Sequence, residues 1–97
     1  MRFRQILQAG LAVAKKQNKS AYFFSLSEDS TKLVHINYLA KSELVDGFNA
    51  KSWIGKVSDL VGGRGGGRDD SAQGVGEKVD SIEEAMGVAR EAFEKRS

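Results

Sequence analysis

Glycine and arginine residues are concentrated in one short segment, which has the clearest chemical signature in the chain. The segment runs from Gly62 to Gly67, with Arg64 inside it and Arg68 directly after it. Glycine adds nothing to a core and destabilises a helix or strand by about 0.5–1 kcal/mol per residue. Such a block therefore indicates an irregular turn or the close approach of a ligand, and the two guanidinium groups indicate that this ligand is anionic.

Known nucleotide-binding motifs do not account for this segment. Gly62 and Gly67 have the spacing of a phosphate-binding P-loop, but Arg68 and Asp69 follow where that motif needs Lys and Ser or Thr. The dinucleotide fingerprint fails because position 68 is not glycine. We expect an ordered loop that binds an anion through its arginines and its backbone N–H groups. The alternative interpretation is a flexible surface linker.

The other residues that carry chemistry favour structural roles. His35 is the only histidine and cysteine is absent, so we expect a packed histidine, no metal site and no disulfide. The spacing of Trp53, Phe23 and Phe24 is typical of core residues, with stacking on nucleic-acid bases as the alternative.

Two adjacent carboxylates follow the glycine segment without forming a catalytic arrangement. Asp69 and Asp70 point apart, and no nucleophile or base accompanies them. We therefore expect no catalytic residue, and either solvation of these carboxylates or their pairing with Arg64 or Arg68.

Composition and charge indicate one globular domain over residues 1–97. A 40 % hydrophobic share is ordinary for a folded protein. No apolar run approaches the roughly 20 residues of a membrane span, so we expect no membrane partner. The formal net charge is only +2, but basic residues lie early and in the middle while acidic residues lie late. This distribution predicts a polarised surface.

Hydrophobic periodicity predicts the order α-β-β-α-β-α. The strands are expected at 21–27, 32–39 and 71–75, with a turn at 28–31 that joins the first two as a hairpin. The helices are expected at 3–17, at 50–61 and along a third apolar stripe from Ile82 to Phe93. Asn49 is the predicted N-cap of the second helix, Gly62 ends it, and Ser81 opens a capping box with Glu84. Gly10, inside the first helix, predicts close packing. We expect an α+β (two-layer α/β) fold with a small three-stranded sheet.

Residues 50–93 resemble the extreme C-terminal domain of alanyl-tRNA synthetase, which is related to the C-terminal domain of DHH phosphoesterases. The resemblance rests on the glycine-arginine run, on Ser71-Ala72-Gln73 and on the last helix with Glu83-Glu84-Ala85 and Ala89-Arg90-Glu91-Ala92. The chain departs from bacterial members at Asp69 and Ser71, where proline and methionine are typical. It departs from the phosphoesterases at Arg68, where they have histidine.

The resemblance implies a non-catalytic accessory domain of a larger, cytoplasmic synthetase, with a mitochondrial enzyme as the alternative. It implies contact with the elbow of tRNA, foremost tRNA(Ala), in support of alanine charging and editing. ATP, Mg and Zn would be used outside this segment. DNA binding and protein interaction or dimerisation with a second copy remain the alternatives. The residues expected at the contact are Arg64, Gly65, Gly66, Gly67, Arg68 and Gln73, with Lys51 and Lys56 as electrostatic support.

Overall fold

The computed structural model describes residues 3–27, 29–44 and 47–95. In chain order these ranges contain α1 (Phe3–Gln17), β1 (Ala21–Leu26), β2 (Leu33–Tyr38), α2 (Ala50–Val61), β3 (Arg64–Gly67), β4 (Ser71–Gly76) and α3 (Ile82–Glu94). Short 3-10 turns at Lys41–Glu43 and Val79–Ser81 precede α2 and α3. Within these ranges, no helix combines the length and the apolar character that crossing a bilayer requires.

The strands form one antiparallel sheet in the order β1-β2-β4-β3. The predicted hairpin of the first two strands is confirmed, with Phe23 opposite Ile36. The predicted turn between them includes Glu28, which lies outside the described residues. The predicted strand at 71–75 is confirmed as β4, which lies between β2 and β3.

Helices cover both faces of the sheet, and all six residues of β2 are buried. Val34 and Ile36 pack with Leu11 of α1. Leu33, on the opposite face of β2, packs with Val57 of α2 and with buried alanines of α3. Successive side chains of a strand point to opposite faces, so the sheet lies between α1 on one side and α2 with α3 on the other.

The α+β fold class is confirmed, but two details of the prediction are wrong. The sheet has four strands instead of three, because the glycine segment pairs with β4 as β3 and is not a loop. The elements form three layers instead of two, because α1 lies on the face opposite α2 and α3. Strand pairing uses main-chain groups alone. A strand made of glycines has no pattern of apolar side chains, so hydrophobic periodicity does not predict it.

The ends of α2 follow the prediction, whereas the start of α3 does not. Asn49 caps α2, since its Oδ1 accepts from the N–H of Ser52 at 2.8 Å, and Gly62 ends the helix with φ 80°. Ser81 makes no capping hydrogen bond, so the predicted capping box is wrong. The 3-10 turn runs directly into α3, and Ser81 (φ −93°, ψ 14°) lacks the extended backbone of an N-cap.

Close packing at Gly10 is confirmed. A Cβ added at this position would lie 3.2 Å from Cζ of Phe23. The missing side chain lets α1 approach β1 closely enough for the Phe23 ring to fill the gap.

Candidate nucleic-acid interface

β3 is an exposed edge strand, and the three residues between Arg64 and Arg68 are glycines. It is the last strand in the sheet order, and all four of its residues are exposed. The N–H of Arg68 donates to the carbonyl of Ser71 at 2.7 Å and closes the hairpin over Asp69 and Asp70. The segment is therefore ordered by main-chain pairing with β4, which excludes the flexible-linker interpretation.

Four of the predicted contact residues share one open face. Arg64, Gly66 and Arg68 alternate along the strand direction, and Gln73 lies directly opposite Gly66 on β4. Alternate residues and directly paired residues of antiparallel strands lie on the same face, and all four of these residues are exposed. The two arginines are four residues apart, which corresponds to about 13 Å along an extended strand. We call this surface the Arg64–Arg68 face.

Neither arginine is neutralised by the domain itself. Across the described part of the chain, Arg64 and Arg68 take part in no salt bridge and in no side-chain hydrogen bond. The alternative in which Asp69 pairs with an arginine is not realised: its Oδ1 instead accepts from Nδ2 of Asn49 at 3.4 Å. Two free cations on an open face can bind an anionic ligand.

The turn between β3 and β4 is attached to two neighbouring elements. The carbonyl of Asp69 accepts from the N–H of Ala50 at 2.7 Å, and that of Asp70 accepts from the N–H of Leu39 at 2.7 Å. The first bond joins the turn to the amino end of α2, and the second joins it to the end of β2. These bonds fix the end of the hairpin that bears Arg68.

Further hydrogen bonds attach both ends of β4. The fully buried Asn37 of β2 donates through Nδ2 to the carbonyl of Ala50 and accepts at Oδ1 from the N–H of Ala72, both at 3.0 Å. At the other end, the carbonyl of Val61 accepts from the N–H of Glu77 at 3.1 Å. The Arg64–Arg68 face therefore lies on a hairpin that is held at both ends.

Glycine occurs at the positions of this segment for different structural reasons. Gly63 has φ 77°, and an added Cβ would lie 1.8 Å from the carbonyl oxygen of Val75, so the fold itself requires glycine there. Gly66 has no positive φ, and an added Cβ would meet nothing within 4 Å. The fold therefore does not require glycine at position 66, although this residue keeps the surface between the two arginines flat.

The remaining predicted contact residues lie on other surfaces. Gly65 and Gly67 alternate with Gly66 and belong to the face that α2 covers, where an added Cβ at Gly65 would lie 3.0 Å from Oγ of Ser58. Lys51 is exposed in the first turn of α2, next to the residue that binds the hairpin turn. Lys56 lines a groove between α2 and α3, so the structure does not bring it to the arginines.

A hydrogen-bonded pair of Tyr22 and His35 beneath the hairpin was not predicted. The hydroxyl of Tyr22 shares a hydrogen bond of 2.6 Å with Nδ1 of the fully buried His35. Burial lowers the pKa of His35 to about 4 and raises the pKa of Tyr22. Both side chains are therefore neutral at pH 7, and the predicted packing role of His35 is confirmed. The sequence signal for this pair is the alternation of side-chain direction along β1 and β2, which places Tyr22 and His35 on the same face of the sheet.

Two buried polar atoms lie above the central glycine pair of the hairpin. Nε2 of His35 and Oγ of Ser58 have no hydrogen-bond partner among the described residues. A Cβ added at Gly74 would lie 2.7 Å from Nε2, and one added at Gly65 would lie 3.0 Å from Oγ. Since Gly65 and Gly74 are directly paired, these side chains occupy the space that the two glycines leave.

The aromatic residues serve packing rather than base stacking. Trp53 is 3 % exposed, and its indole N–H donates to the carbonyl of Ala89 at 2.8 Å. Phe23 packs against the α1 cluster, and Phe24 stacks on Tyr22 with ring centroids 4.9 Å apart. The core interpretation of Trp53 is confirmed. In the described ranges, no group of three or more His, Cys, Asp or Glu side chains is placed to hold a metal ion.

Comparison with known proteins gives one consistent result. A family profile described as the DHHA1 domain matches residues 3–95. The chain is 38 % identical over 74 residues to the cytoplasmic alanine–tRNA ligase of Bombyx mori, covering 76 % of this chain and 8 % of that protein. It is 38 % identical over 88 residues to the alanine–tRNA ligase of Schizosaccharomyces pombe, covering 91 % of this chain and 9 % of that protein.

Structural similarity and sequence similarity indicate the same protein family. The C-Ala domain of Aquifex aeolicus alanyl-tRNA synthetase matches with a TM-score of 0.77 and 25 % identity, covering 96 % of this chain and 82 % of that one. The chain spans only 8–9 % of the length of the alanine–tRNA ligases named above. The resemblance seen in residues 50–93 thus extends over most of the chain, which belongs to the DHHA1 domain family.

Proposed function

We propose that this domain binds tRNA as an accessory part of an alanyl-tRNA synthetase, through the Arg64–Arg68 face. Its relatives are alanine–tRNA ligases, and the similar solved structure is the C-Ala domain of such an enzyme. The finer proposal is that the face contacts the elbow of tRNA(Ala) and supports alanine charging and editing. ATP, Mg and Zn would act elsewhere in the enzyme. The cytoplasmic location named for the Bombyx mori relative is proposed for this protein as well.

Gly66 is the observation that carries the proposal. Its missing side chain costs strand stability, and nothing in the domain occupies the space that a side chain would fill. The position lies between two cations without partners in the described structure, opposite the exposed amide of Gln73. A flat strip flanked by guanidinium groups suits the sugar-phosphate backbone of a folded RNA, which proteins recognise largely by shape and phosphate contacts.

Removal of both arginines tests this assignment. We expect R64A/R68A to weaken tRNA binding about tenfold or more at moderate salt, because two phosphate contacts are lost. The plot of log affinity against log salt should become shallower by about 1.5, since each phosphate contact contributes about 0.7–0.9. Fluorescence anisotropy with labelled tRNA at several salt concentrations measures both quantities.

The matched control removes two cations from α3. Arg90 and Lys95 have side chains that are 80 % and 74 % exposed, and R90A/K95A lowers the formal net charge from +2 to 0, as does R64A/R68A. We expect the control to keep most of the affinity. Equal affinity of R64A/R68A and the unmodified domain would contradict the proposal. Stronger competition by duplex DNA than by tRNA would favour the DNA alternative instead.

A further inference from the structure

The open edge of β3 presents main-chain groups that the sheet does not use. Hydrogen bonds in an antiparallel ladder alternate, so every second residue faces its partner strand. Because Arg68 bonds to Ser71 of β4, Arg64 and Gly66 also face β4. Gly65 and Gly67 therefore direct their N–H and C=O groups away from the sheet, and no described residue hydrogen-bonds to them.

Charge decides which kind of partner fits this edge. A second copy paired antiparallel about Gly66 would place Arg64 of each chain opposite Arg68 of the other. Like charges directly opposite each other destabilise a strand pair, and no described acidic side chain pairs with either arginine. The same two cations attract a polyanion, so a nucleic acid suits this edge better than a second copy does.

The edge also discriminates among the groups of a nucleic acid. Each outward glycine presents an N–H donor and a C=O acceptor in neighbouring positions. A phosphate oxygen only accepts hydrogen bonds and is repelled by the carbonyl, so the phosphates suit the arginines on the adjacent face. A ribose 2′-hydroxyl both donates and accepts. It matches the paired groups of the edge, and deoxyribose offers no equivalent.

We propose that the main chain of Gly65 and Gly67 hydrogen-bonds ribose 2′-hydroxyl groups while Arg64 and Arg68 bind the neighbouring phosphates. The domain would thereby distinguish RNA from DNA without base contacts. This inference rests on the proposed function and assigns a second role to the same hairpin. The absence of side chains at positions 65–67 leaves the sugar free to reach the backbone.

The first test compares full-length tRNA(Ala) with its 2′-fluoro analogue, which keeps the phosphates and the sugar pucker but lacks the hydroxyl. We expect the unmodified domain to bind the RNA about 3- to 10-fold more tightly, the range of one or two neutral hydrogen bonds. R64A/R68A should weaken both probes by a similar factor and keep their ratio. Anisotropy titrations at one salt concentration measure the ratio.

A pair of variants then isolates the outward N–H of Gly65. Gly65→Pro and Gly65→Ala are both made with Ser58→Ala, which removes the Oγ that would lie 3.0 Å from the added Cβ. Proline lacks the N–H and is tolerated on an edge strand where that group faces solvent. We expect the alanine variant to keep the preference for the hydroxyl and the proline variant to lose most of it. Circular dichroism and thermal unfolding show whether both are folded.

The outcomes separate this inference from the proposed function. Equal binding of the two probes by the unmodified domain, with both weakened by R64A/R68A, overturns the inference and leaves tRNA binding in place. The inference also fails if a folded Gly65→Pro variant keeps the preference, or if the unmodified domain sediments as a dimer that Gly65→Pro dissociates. Failure of both probes to bind at low salt overturns the proposed function and the inference together. If Gly65→Pro does not fold, the probe comparison with the unmodified domain still decides.

Discussion

At the scale of single residues, Gly63 and Gly66 show how neighbouring glycines serve different purposes. Gly63 combines a positive φ with an added-Cβ distance of 1.8 Å to the backbone of Val75. Gly66 has neither constraint. The fold therefore requires glycine at position 63, whereas we attribute the glycine at position 66 to ligand binding.

Alanine at each position should separate these roles. We expect Gly63→Ala to lower the free energy of unfolding by about 2 kcal/mol or more, through backbone strain and a clash with main chain. Gly66→Ala should leave it unchanged or raise it by up to about 1 kcal/mol. Urea denaturation followed by the fluorescence of Trp53 measures both, and similar losses at the two positions would contradict the distinction.

Burial of His35 predicts a pH dependence of stability. Its pKa is lowered from 6.5 to about 4, so below pH 6.5 the unfolded chain binds a proton that the folded domain excludes. Stability is therefore complete above pH 6.5 and falls with decreasing pH, by up to about 1.4 kcal/mol per unit and about 3 kcal/mol by pH 4.

The variant His35→Gln provides the control for this prediction. His35 is the only histidine in the chain, so the loss of stability between pH 6.5 and 5 should largely disappear in His35→Gln. Denaturation series at several pH values measure the slope in each protein. Equal slopes would show that other groups cause the pH dependence.

At the scale of elements, the helices and strands that were predicted correctly are those with a recognisable side-chain pattern. The amphipathic stripe of α2, its cap at Asn49 and the strand β2 depend on side-chain type, and each was predicted correctly. β3 was missed because glycine carries no periodic signal and its pairing with β4 depends on main-chain bonds. Arg64, Arg68 and Gln73 were expected at one contact only through the family resemblance, because their common face follows from the register of that pairing.

Amide exchange tests the register of β3 directly. We expect slow exchange for the N–H groups of Arg64, Gly66 and Arg68, which face β4, and fast exchange for those of Gly65 and Gly67, which face the open edge. Two-dimensional NMR in D₂O resolves these amides. Fast exchange of all five would show that the segment is a loop without stable pairing.

At the scale of the whole molecule, charge is divided between the two sides of the sheet. The Arg64–Arg68 face lies on the same side as α1, since Gln73 is paired with Ile36 of the α1 cluster. The opposite layer presents four exposed glutamates of α3, namely Glu83, Glu84, Glu91 and Glu94. Two of these glutamates pair with Arg90 and Lys95 of the same layer, whereas Arg64 and Arg68 have no side-chain partner among the described residues. A polyanion is therefore directed to the face with the unpaired arginines.

The binding of tRNA to Gly66→Val, compared with Gly87→Ala, tests the central claim most directly. An added Cβ meets nothing within 4 Å at either position, but only Gly66 lies between the two arginines. We predict that both variants remain as stable as the unmodified domain, that Gly87→Ala binds tRNA normally, and that Gly66→Val binds at least about fivefold more weakly, a loss of about 1 kcal/mol. Full affinity in a folded Gly66→Val variant would show that tRNA does not contact the glycine strand.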